Sequence, residues 1–367
     1  MKTKTILLAI VLLLITGSIY WLEKSRVEPP LNTISTVPEL TSPQQLKDGK
    51  YSLAPELTGL SGYLNAEPGI HISDYRGKVV LIDFWTYTCI NCIRTLPHLT
   101  DWDKKYREKG LVIIGVHTPE FEFEKKKENV EAAMKKYGIE YRVVQDNDYT
   151  TWRAFQNRYW PHKYLIDKDG YIRYDHIGEG KYDETERKIQ ELLAETGHDV
   201  EEMGVSAIED TTPHLPTTQE LYLGYTFALP RGQDVGNAEG LQPDTVVDYV
   251  ISGEKQRDIV YLQGQWKSNP DNLQALEAGS SLYLDFTAKA VNIVADAPMP
   301  LKVKVFINDQ PITKEQAGSD VQFKDGQSYI LIDQPQLYNI VDGEYGQYTL
   351  KLTVMELGFA GNAFTFG

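Results

Sequence analysis

The chain has 367 residues, 41% of them hydrophobic, which is enough to bury the cores of about two domains. Its formal net charge of −15 leaves no excess of Lys and Arg to meet phosphates, and this argues against a nucleic-acid-binding protein. Two cysteines are too few for a disulfide scaffold and supply only half of a four-ligand zinc site. We therefore predict no metal, no cofactor and no nucleic-acid partner.

The N-terminal segment is predicted to reach a membrane. Residues 6–22 are apolar and uncharged, follow Lys2 and Lys4, and are near the lower length limit for a spanning helix. The lysines predict that the N-terminus stays inside and that the rest of the chain lies on the extracytoplasmic side. Bulky residues at 19–22 leave no small-residue cleavage site, so we predict a single-pass signal-anchor over 1–22. The alternative is a cleaved signal peptide and a secreted protein.

A flexible stalk and an α/β domain are predicted next. Residues 23–50 are rich in Pro, Ser and Thr, as is typical of a flexible linker. Within 51–198, strands and helices alternate, which predicts a sheet covered by helices. The predicted strands are 79–85, 111–116 and 163–166, and the predicted helices are 95–109, 124–137, 150–158 and 182–196.

The C-terminal part changes character after a predicted linker over 199–218. Residues 219–367 contain short alternating apolar runs that are separated by turn sequences. In residues 349–354, for example, Leu350, Leu352 and Val354 alternate with polar side chains. This pattern predicts an all-β domain, which we interpret as a jelly-roll-like sandwich.

The two cysteines lie between the strand 79–85 and a predicted helix. Cys89 and Cys92 are three residues apart, so they share one face of the first helical turn, where Thr88 is a candidate cap. The free N–H groups and dipole of a helix N-terminus favour a thiolate. We predict that Cys89 is the nucleophile, that Cys92 resolves the mixed disulfide, and that the oxidised form holds a Cys89–Cys92 disulfide. Arg94 either adds positive potential or is an ordinary exposed charge.

These residues carry a resemblance to a known fold. The apolar strand 79–85, followed by Cys89 and Cys92 and by Pro97 five residues later, resembles the thioredoxin fold, and specifically the exported redoxins of the TlpA type. Residues 160–170 resemble the segment that carries the cis-proline opposite the active site. The resemblance implies that Pro161 is cis and that the backbone beside it pairs with an extended substrate.

A second, more specific resemblance covers nearly everything after the stalk. The sequence Trp-Thr-Tyr-Thr-Cys-Ile-Asn-Cys at 85–92 is similar to the active site of the extracytoplasmic part of DipZ-type proteins, as are stretches at 115–121, 159–167, 223–225, 264–266 and 363–367. In that family a polytopic electron-conducting membrane domain lies N-terminal to the redoxin. Because this sequence shows one apolar segment, the resemblance implies a separate membrane electron donor of the CcdA or DsbD type.

The resemblance also suggests a proton acceptor. Asp83 lies six residues before Cys89, which matches the buried acid of thioredoxins; burial should raise its pKa and let it accept the Cys92 proton. The alternative is a partly exposed acid at the end of a strand. Thioredoxins pair this acid with a strand lysine, but His117 is the only ionisable residue of the strand at 111–118.

Three aromatic residues and one acid near the cysteines have two readings each. Trp85, Tyr87 and Trp160 either line an apolar rim for a peptide substrate or pack in the core. Glu120 either reaches the site or is a carboxylate favoured by a helix start.

The predicted function is a thiol–disulfide oxidoreductase that reduces protein disulfides, with the direction of electron flow left open. A thiol peroxidase is one alternative, since Thr86 precedes Cys89 by three residues, although Ile82 stands where peroxiredoxins have proline. The other is a β domain that binds carbohydrate through a stacking surface. Its candidate residues are Tyr225, Tyr261, Trp266 and Tyr283.

Overall fold

The computed structural model describes Lys47 and residues 49–200 and 203–367. The predicted anchor over 1–22 and nearly all of the predicted stalk over 23–50 lie outside these residues. None of the helices in the described ranges combines the length and the apolar character that a membrane crossing requires. Residues Gly49–Gly367 form one compact unit that contains two sheets.

The first sheet has six strands in the order β1-β4-β3-β2-β5-β6. Strands β2, β3 and β4 run parallel, whereas β1, β5 and β6 pair antiparallel to their neighbours. The strands are β1 Gly62–Leu64, β2 Val79–Trp85, β3 Leu111–His117, β4 Arg142–Gln145, β5 His162–Ile166 and β6 Ile172–Ile177. The helices around it are α1 Ile90–Tyr106, α2 Lys127–Tyr137, α3 Thr150–Ala154 and α4 Tyr182–Ala194, with single 3₁₀ turns at Ile72–Tyr75, Arg107–Lys109 and Glu122–Lys125.

Every residue of β2 and β3 is buried, because the sheet has a hydrophobic core on each face. Side chains of β2 alternate between these cores. Leu81 and Trp85 pack on the face that carries α1 and α4, while Ile82 and Phe84 pack on the face that carries Trp152 of α3. Asp83 belongs by this alternation to the α1 face, where the cysteines lie.

The second sheet has eleven strands, and all of its pairings are antiparallel. Its centre is the long pair β11–β16, with β11 also paired to β17 and β9. The strands are β7 Leu221–Tyr222, β8 Val246–Tyr249, β9 Val260–Ser268, β10 Leu273–Ala275, β11 Ser281–Asp296, β12 Leu301–Ile307, β13 Gln310–Pro311, β14 Val321–Lys324, β15 Gln327–Ile332, β16 Gln336–Val354 and β17 Ala360–Phe366. A short helix α5, Tyr225–Ala228, and a 3₁₀ turn, Leu229–Arg231, follow β7.

The α/β and all-β classes predicted for the two halves are confirmed, whereas the jelly-roll form of the second half stays a prediction. We call residues 62–194 the α/β part and residues 221–366 the β part. The two share one hydrophobic core cluster, and the rings of Phe121 and Phe227 meet across them at a centroid distance of 6.1 Å. The intervening chain is bound to the α/β part, since the Ser206 N–H donates to Glu186 Oε2 at 2.8 Å. The β part is therefore fixed against the α/β part.

Candidate active site

Cys89 occupies the N-cap of α1. Strand β2 ends at Trp85, and residues 86–89, which we call the redox loop, connect it to Ile90. The Cys89 sulfur accepts a hydrogen bond from the Cys92 N–H at 3.4 Å, so it takes the place of a capping oxygen. The dipole of a helix and the N–H groups of its first turn favour an anion at an N-cap in general. The prediction that Thr88 caps the helix is wrong, because its hydroxyl bonds a carboxylate elsewhere.

The two cysteines differ sharply in exposure. Cys92 is buried, whereas Cys89 is partly exposed and its sulfur lies 3.9 Å from the Trp160 carbonyl oxygen. Burial raises the pKa of the Cys92 thiol well above its usual value, and the neighbouring Cys89 and Asp83 raise it further. The outer sulfur can thus meet a substrate while the inner one is held protonated. Both are free thiols in this structure, so the Cys89–Cys92 disulfide of an oxidised form stays a prediction.

Asp83 is 1% exposed, and its Oδ1 has no hydrogen-bond partner among the described residues. Burial raises its pKa to about 7, and the Lys163 ammonium acts in the opposite direction. Lys163 is also 1% exposed; burial lowers its pKa, and its Nζ donates to the Gly178 carbonyl at 2.9 Å. Asp83 and Lys163 are partners in the β2–β5 register, so the lysine that pairs with this acid lies on β5 and not on β3. The sequence signal for this lysine was its position at the start of the otherwise apolar run 163–166.

The Trp160–Pro161 peptide bond is cis, and Pro161 immediately precedes β5. Trp160 is half-buried and its indole N–H donates to the Thr118 carbonyl at 3.1 Å. This places the end of β3, the chain before β5 and the Cys89 sulfur side by side.

Trp85 and Tyr87 do not form a substrate rim, contrary to one prediction. Trp85 is fully buried, with its ring edge-on to His117 at a centroid distance of 5.2 Å, and the buried Tyr87 ring stacks on the same imidazole at 5.7 Å. Burial lowers the pKa of His117 to about 3, so this imidazole is neutral at physiological pH. Both aromatic residues therefore pack in the core beside the redox loop.

Cys89 opens into a cleft of about 320 Å³ that the α/β part alone does not form. One wall comes from the α/β part and the other from residues 213–222 and the end of β17. The lining residues are Cys89, Ile90, Asn91, Arg94, Glu120, Trp160, Glu179, Pro213, Leu215, Thr217, Thr218, Gln219, Glu220, Tyr222, Thr365 and Phe366. No local sequence pattern reveals this second wall, because it depends on packing between segments that are distant in sequence, such as Cys89 and Phe366.

Ionisable groups line this cleft. Glu120 does reach it, and its Oε1 accepts a hydrogen bond from the Tyr222 hydroxyl at 2.6 Å. The Tyr222 hydroxyl is also 3.0 Å from Glu220 Oε2. Burial and the neighbouring carboxylates raise the pKa of Glu120 well above its usual range. Arg94 is not an ordinary exposed charge, since its guanidinium is largely buried and paired with Glu179 at 2.9 Å.

Other predicted binding residues are not gathered into a site. Trp266 and Tyr261 are buried in the β part and cannot offer a ring face to a sugar. Tyr225 and Tyr283 are half-buried and bond Asp244 and Gln263, respectively. Over residues 49–200 and 203–367, no group of three His, Cys, Asp or Glu side chains is arranged to hold a metal ion.

Comparisons with known proteins match both halves of the chain. The AhpC/TSA family model matches residues 53–175, and the model described as thioredoxin like C-terminal domain matches residues 218–367. Protein DipZ of Mycobacterium tuberculosis (strain CDC 1551 / Oshkosh) is 38% identical over 255 residues, which are 68% of this chain and 36% of DipZ. The chain thus spans little more than a third of the length of that relative.

Shorter proteins are similar to about two fifths of the chain. The thiol-disulfide oxidoreductase YkuV of Bacillus subtilis (strain 168) is 30% identical over 143 residues, 39% of this chain and 95% of YkuV. Among solved structures, a thioredoxin-like protein in its oxidized form shares 29% identity, with a TM-score of 0.37 and coverage of 40% of this chain and 97% of that one.

Proposed function

Because this chain belongs to the thioredoxin family of thiol–disulfide oxidoreductases, we propose that it reduces protein disulfides through Cys89 and Cys92. One observation carries the proposal: a partly exposed sulfur caps a helix at the floor of a cleft, with a buried thiol one turn behind it. This is the asymmetry that a nucleophile and a resolving thiol need.

The proposed reaction has two exchanges. The Cys89 thiolate attacks one sulfur of the substrate disulfide, whose S–S bond breaks, and the released thiolate takes a proton from water. Cys92 then loses its proton to Asp83, directly or through a water, and attacks the Cys89 sulfur. The second substrate thiolate leaves and is protonated. The substrate gains two electrons and two protons, and the protein is left with a Cys89–Cys92 disulfide.

Asp83 suits the role of proton acceptor. A carboxyl with a pKa of about 7 is partly ionised at neutral pH and is still basic enough to accept a proton. It lies on the sheet face toward α1, and its charge acts on Cys92. We propose that Trp160 forms the substrate rim, and that the backbone beside Pro161 docks an extended substrate segment.

Turnover of insulin disulfides by the full chain with dithiothreitol tests the proposal. The wild-type protein should accelerate precipitation of the insulin B chain, and Cys89→Ser should abolish this. Full activity in Cys89→Ser would overturn it. The redox equilibrium with glutathione then decides whether the protein works as a reductant or an oxidant.

We also propose that the chain is anchored in the membrane through residues 1–22 and acts on the extracytoplasmic side. The apolar run 6–22 and the lysines before it support this location. Each turnover consumes two electrons, so a membrane donor of the CcdA or DsbD type is proposed to reduce the disulfide again. Labelling of Cys89 in intact cells by a membrane-impermeant maleimide tests the location; protection until the cells are lysed contradicts it.

The alternatives have less support. A peroxidase would direct a threonine hydroxyl at the peroxide, but Thr86 is fully buried, with its hydroxyl 3.4 Å from His117 Nε2. Carbohydrate binding stays a prediction, although two of its four candidate aromatic residues, Tyr261 and Trp266, are buried in the core. The division into 51–198, 199–218 and 219–367 likewise stays a proposal.

A further inference from the structure

Glu124 is a fully buried carboxylate to which the proposed exchange reaction gives no role. It lies in the 3₁₀ turn after β3, directly under the redox loop. Its Oε1 accepts the Thr88 hydroxyl at 2.5 Å, and its Oε2 accepts the backbone N–H groups of Glu120 at 2.5 Å and Phe121 at 3.0 Å. No Lys, Arg or His in the described ranges forms an ion pair with it.

Such a group needs its hydrogen bonds, because desolvation of a carboxylate is costly and each donor offsets part of that cost. Burial raises the pKa of Glu124, and the threonine hydroxyls and the two backbone N–H groups lower it. The donors come from two segments: the redox loop and the chain at 120–121 that leaves β3. One carboxylate thus joins the residue before Cys89 to a wall of the cleft.

The segment at 120–121 is in turn held by the β part. The Glu120 carboxylate accepts the Tyr222 hydroxyl at 2.6 Å, and the Phe121 ring meets Phe227 at 6.1 Å. Tyr222 and Phe227 stack on each other at 5.2 Å. Tyr222 also pairs with Ala363 of β17, the strand whose end lines the cleft. A continuous series of contacts therefore runs from the β part through Glu120 and Glu124 to the redox loop.

We propose that Glu124 is a positioning residue through which the β part holds the redox loop, so that the β part is a component of the redox site. Thr88 precedes the N-cap, so release of its hydroxyl moves the Cys89 sulfur away from the Cys92 N–H group that stabilises the thiolate. This inference concerns the reactivity of the Cys89 thiol. It rests on the proposed function only where a change in that reactivity is expected to change the rate of disulfide reduction.

The test measures alkylation of Cys89 by iodoacetamide as a function of pH. It uses the full chain in a Cys92→Ser background, where Cys89 is the one remaining thiol. Thr88→Val removes the hydroxyl without changing charge or size, and we expect the alkylation rate at pH 7 to fall about tenfold, the scale of one hydrogen bond to a charged group. Thr88→Ser keeps the hydroxyl and should restore the wild-type profile.

Glu124→Met separates positioning from simple electrostatics, because the thioether can neither accept the two backbone N–H groups as a carboxylate does nor hold the Thr88 hydroxyl. Loss of a nearby negative charge alone would favour the thiolate and move the pH profile downward. Loss of the loop's anchor moves the profile upward, as Thr88→Val does. The control is Glu128→Met, on the exposed side of α2, which should change nothing.

The β part is tested by Tyr222→Phe, which deletes the hydroxyl that binds Glu120. The profile should move in the same direction as for Thr88→Val. The control is Tyr249→Phe, which deletes another phenol hydrogen bond of the β part, to the Gly240 carbonyl at 2.9 Å. An unchanged profile in Thr88→Val or in Tyr222→Phe, or an unchanged or downward-shifted profile in Glu124→Met, overturns the proposal. Insulin reduction by the wild-type chain is measured separately. It tests the proposed function, whereas the alkylation profiles of the variants test the role of Glu124.

Discussion

Asp83 and Lys163 are register partners across β2 and β5, and each side chain is 1% exposed. Burial raises the pKa of Asp83 and the Lys163 ammonium partly offsets this effect, so that the pKa is about 7. The carboxylate is therefore basic and close to ionisation at neutral pH. In the proposed mechanism, this pair lets the buried Cys92 thiol be deprotonated in an apolar environment.

Asp83→Asn should slow the resolving exchange without stopping the first attack. The amide cannot accept the Cys92 proton, and loss of a general base typically costs about a hundredfold or more in rate. The mixed disulfide on Cys89 should accumulate, which quenched-flow gel analysis of single turnovers measures. A variant that resolves the mixed disulfide at the wild-type rate contradicts this role.

Lys163→Met should move the pH dependence of the resolving exchange to higher pH. The ammonium lowers the pKa of Asp83, so its removal leaves burial unopposed and raises that pKa. The carboxylate then ionises only above pH 7, and the resolving rate at pH 7 falls. The control is Lys181→Met, which removes an exposed ammonium of the α/β part. Identical pH profiles for Lys163→Met and the wild type would show that Lys163 does not affect the pKa of Asp83.

Trp85→Ala and Trp160→Ala should separate core packing from substrate contact. Trp85 is fully buried, so its truncation should cost about 3–5 kcal/mol of unfolding free energy. Trp160 is half-buried at the cleft, so its truncation should mainly raise KM for insulin. Urea unfolding and steady-state kinetics measure the two effects. Equal losses of stability in both variants contradict the assignment.

Glu186→Gln should lower the free energy of unfolding, and the loss should depend on pH. This carboxylate accepts hydrogen bonds from Trp102, Tyr106, Lys105 and the Ser206 N–H. Despite the opposing effect of burial, these donors lower its pKa below the usual value of 4.5. Its stabilisation is therefore present above pH 4.5 and is lost as pH falls through the lowered pKa.

Removing the buried Glu186 carboxylate, whose Lys105 partner is partly exposed, should cost about 1.5–3 kcal/mol at pH 7 and less at pH 3. Urea unfolding at both pH values measures the difference. Glu191→Gln, which removes an exposed carboxylate from the same helix, is the control and should cost under about 1 kcal/mol. A pH-independent cost in Glu186→Gln contradicts the prediction.

Features that depend on local sequence could be predicted. The apolar run of β2, the cysteine spacing and the alternation in the β part each arise from neighbours along the chain, and their elements formed. The apolar pattern predicts a helix over 95–109, whereas the cysteine spacing predicts a helical turn at Cys89 and Cys92; the helix α1 begins at Ile90, with the Cys89 sulfur as its cap. Trp85 and Tyr87 were ambiguous, since an aromatic residue beside a motif packs inward or outward according to tertiary contacts.

Features that depend on register or on contacts between the parts could not be predicted. Lys163 meets Asp83 only because β5 pairs antiparallel to β2 in one register. Glu124 is the first residue of the predicted helix 124–137, and its hydrogen bond with the Thr88 hydroxyl joins residues 36 apart in sequence. Tyr222 is 102 residues from Glu120 in sequence, and the residues around neither of them predict their hydrogen bond.

The most direct test of the account is to trap the first intermediate. Cys92→Ser leaves Cys89 without a resolving thiol, so the full chain incubated with insulin should form a mixed disulfide that mass spectrometry locates at Cys89. Cys89→Ser should form none, because Cys92 is buried. A mixed disulfide that forms on Cys92 in the Cys89→Ser chain, or no adduct in Cys92→Ser, would contradict the assignment of Cys89 as the nucleophile.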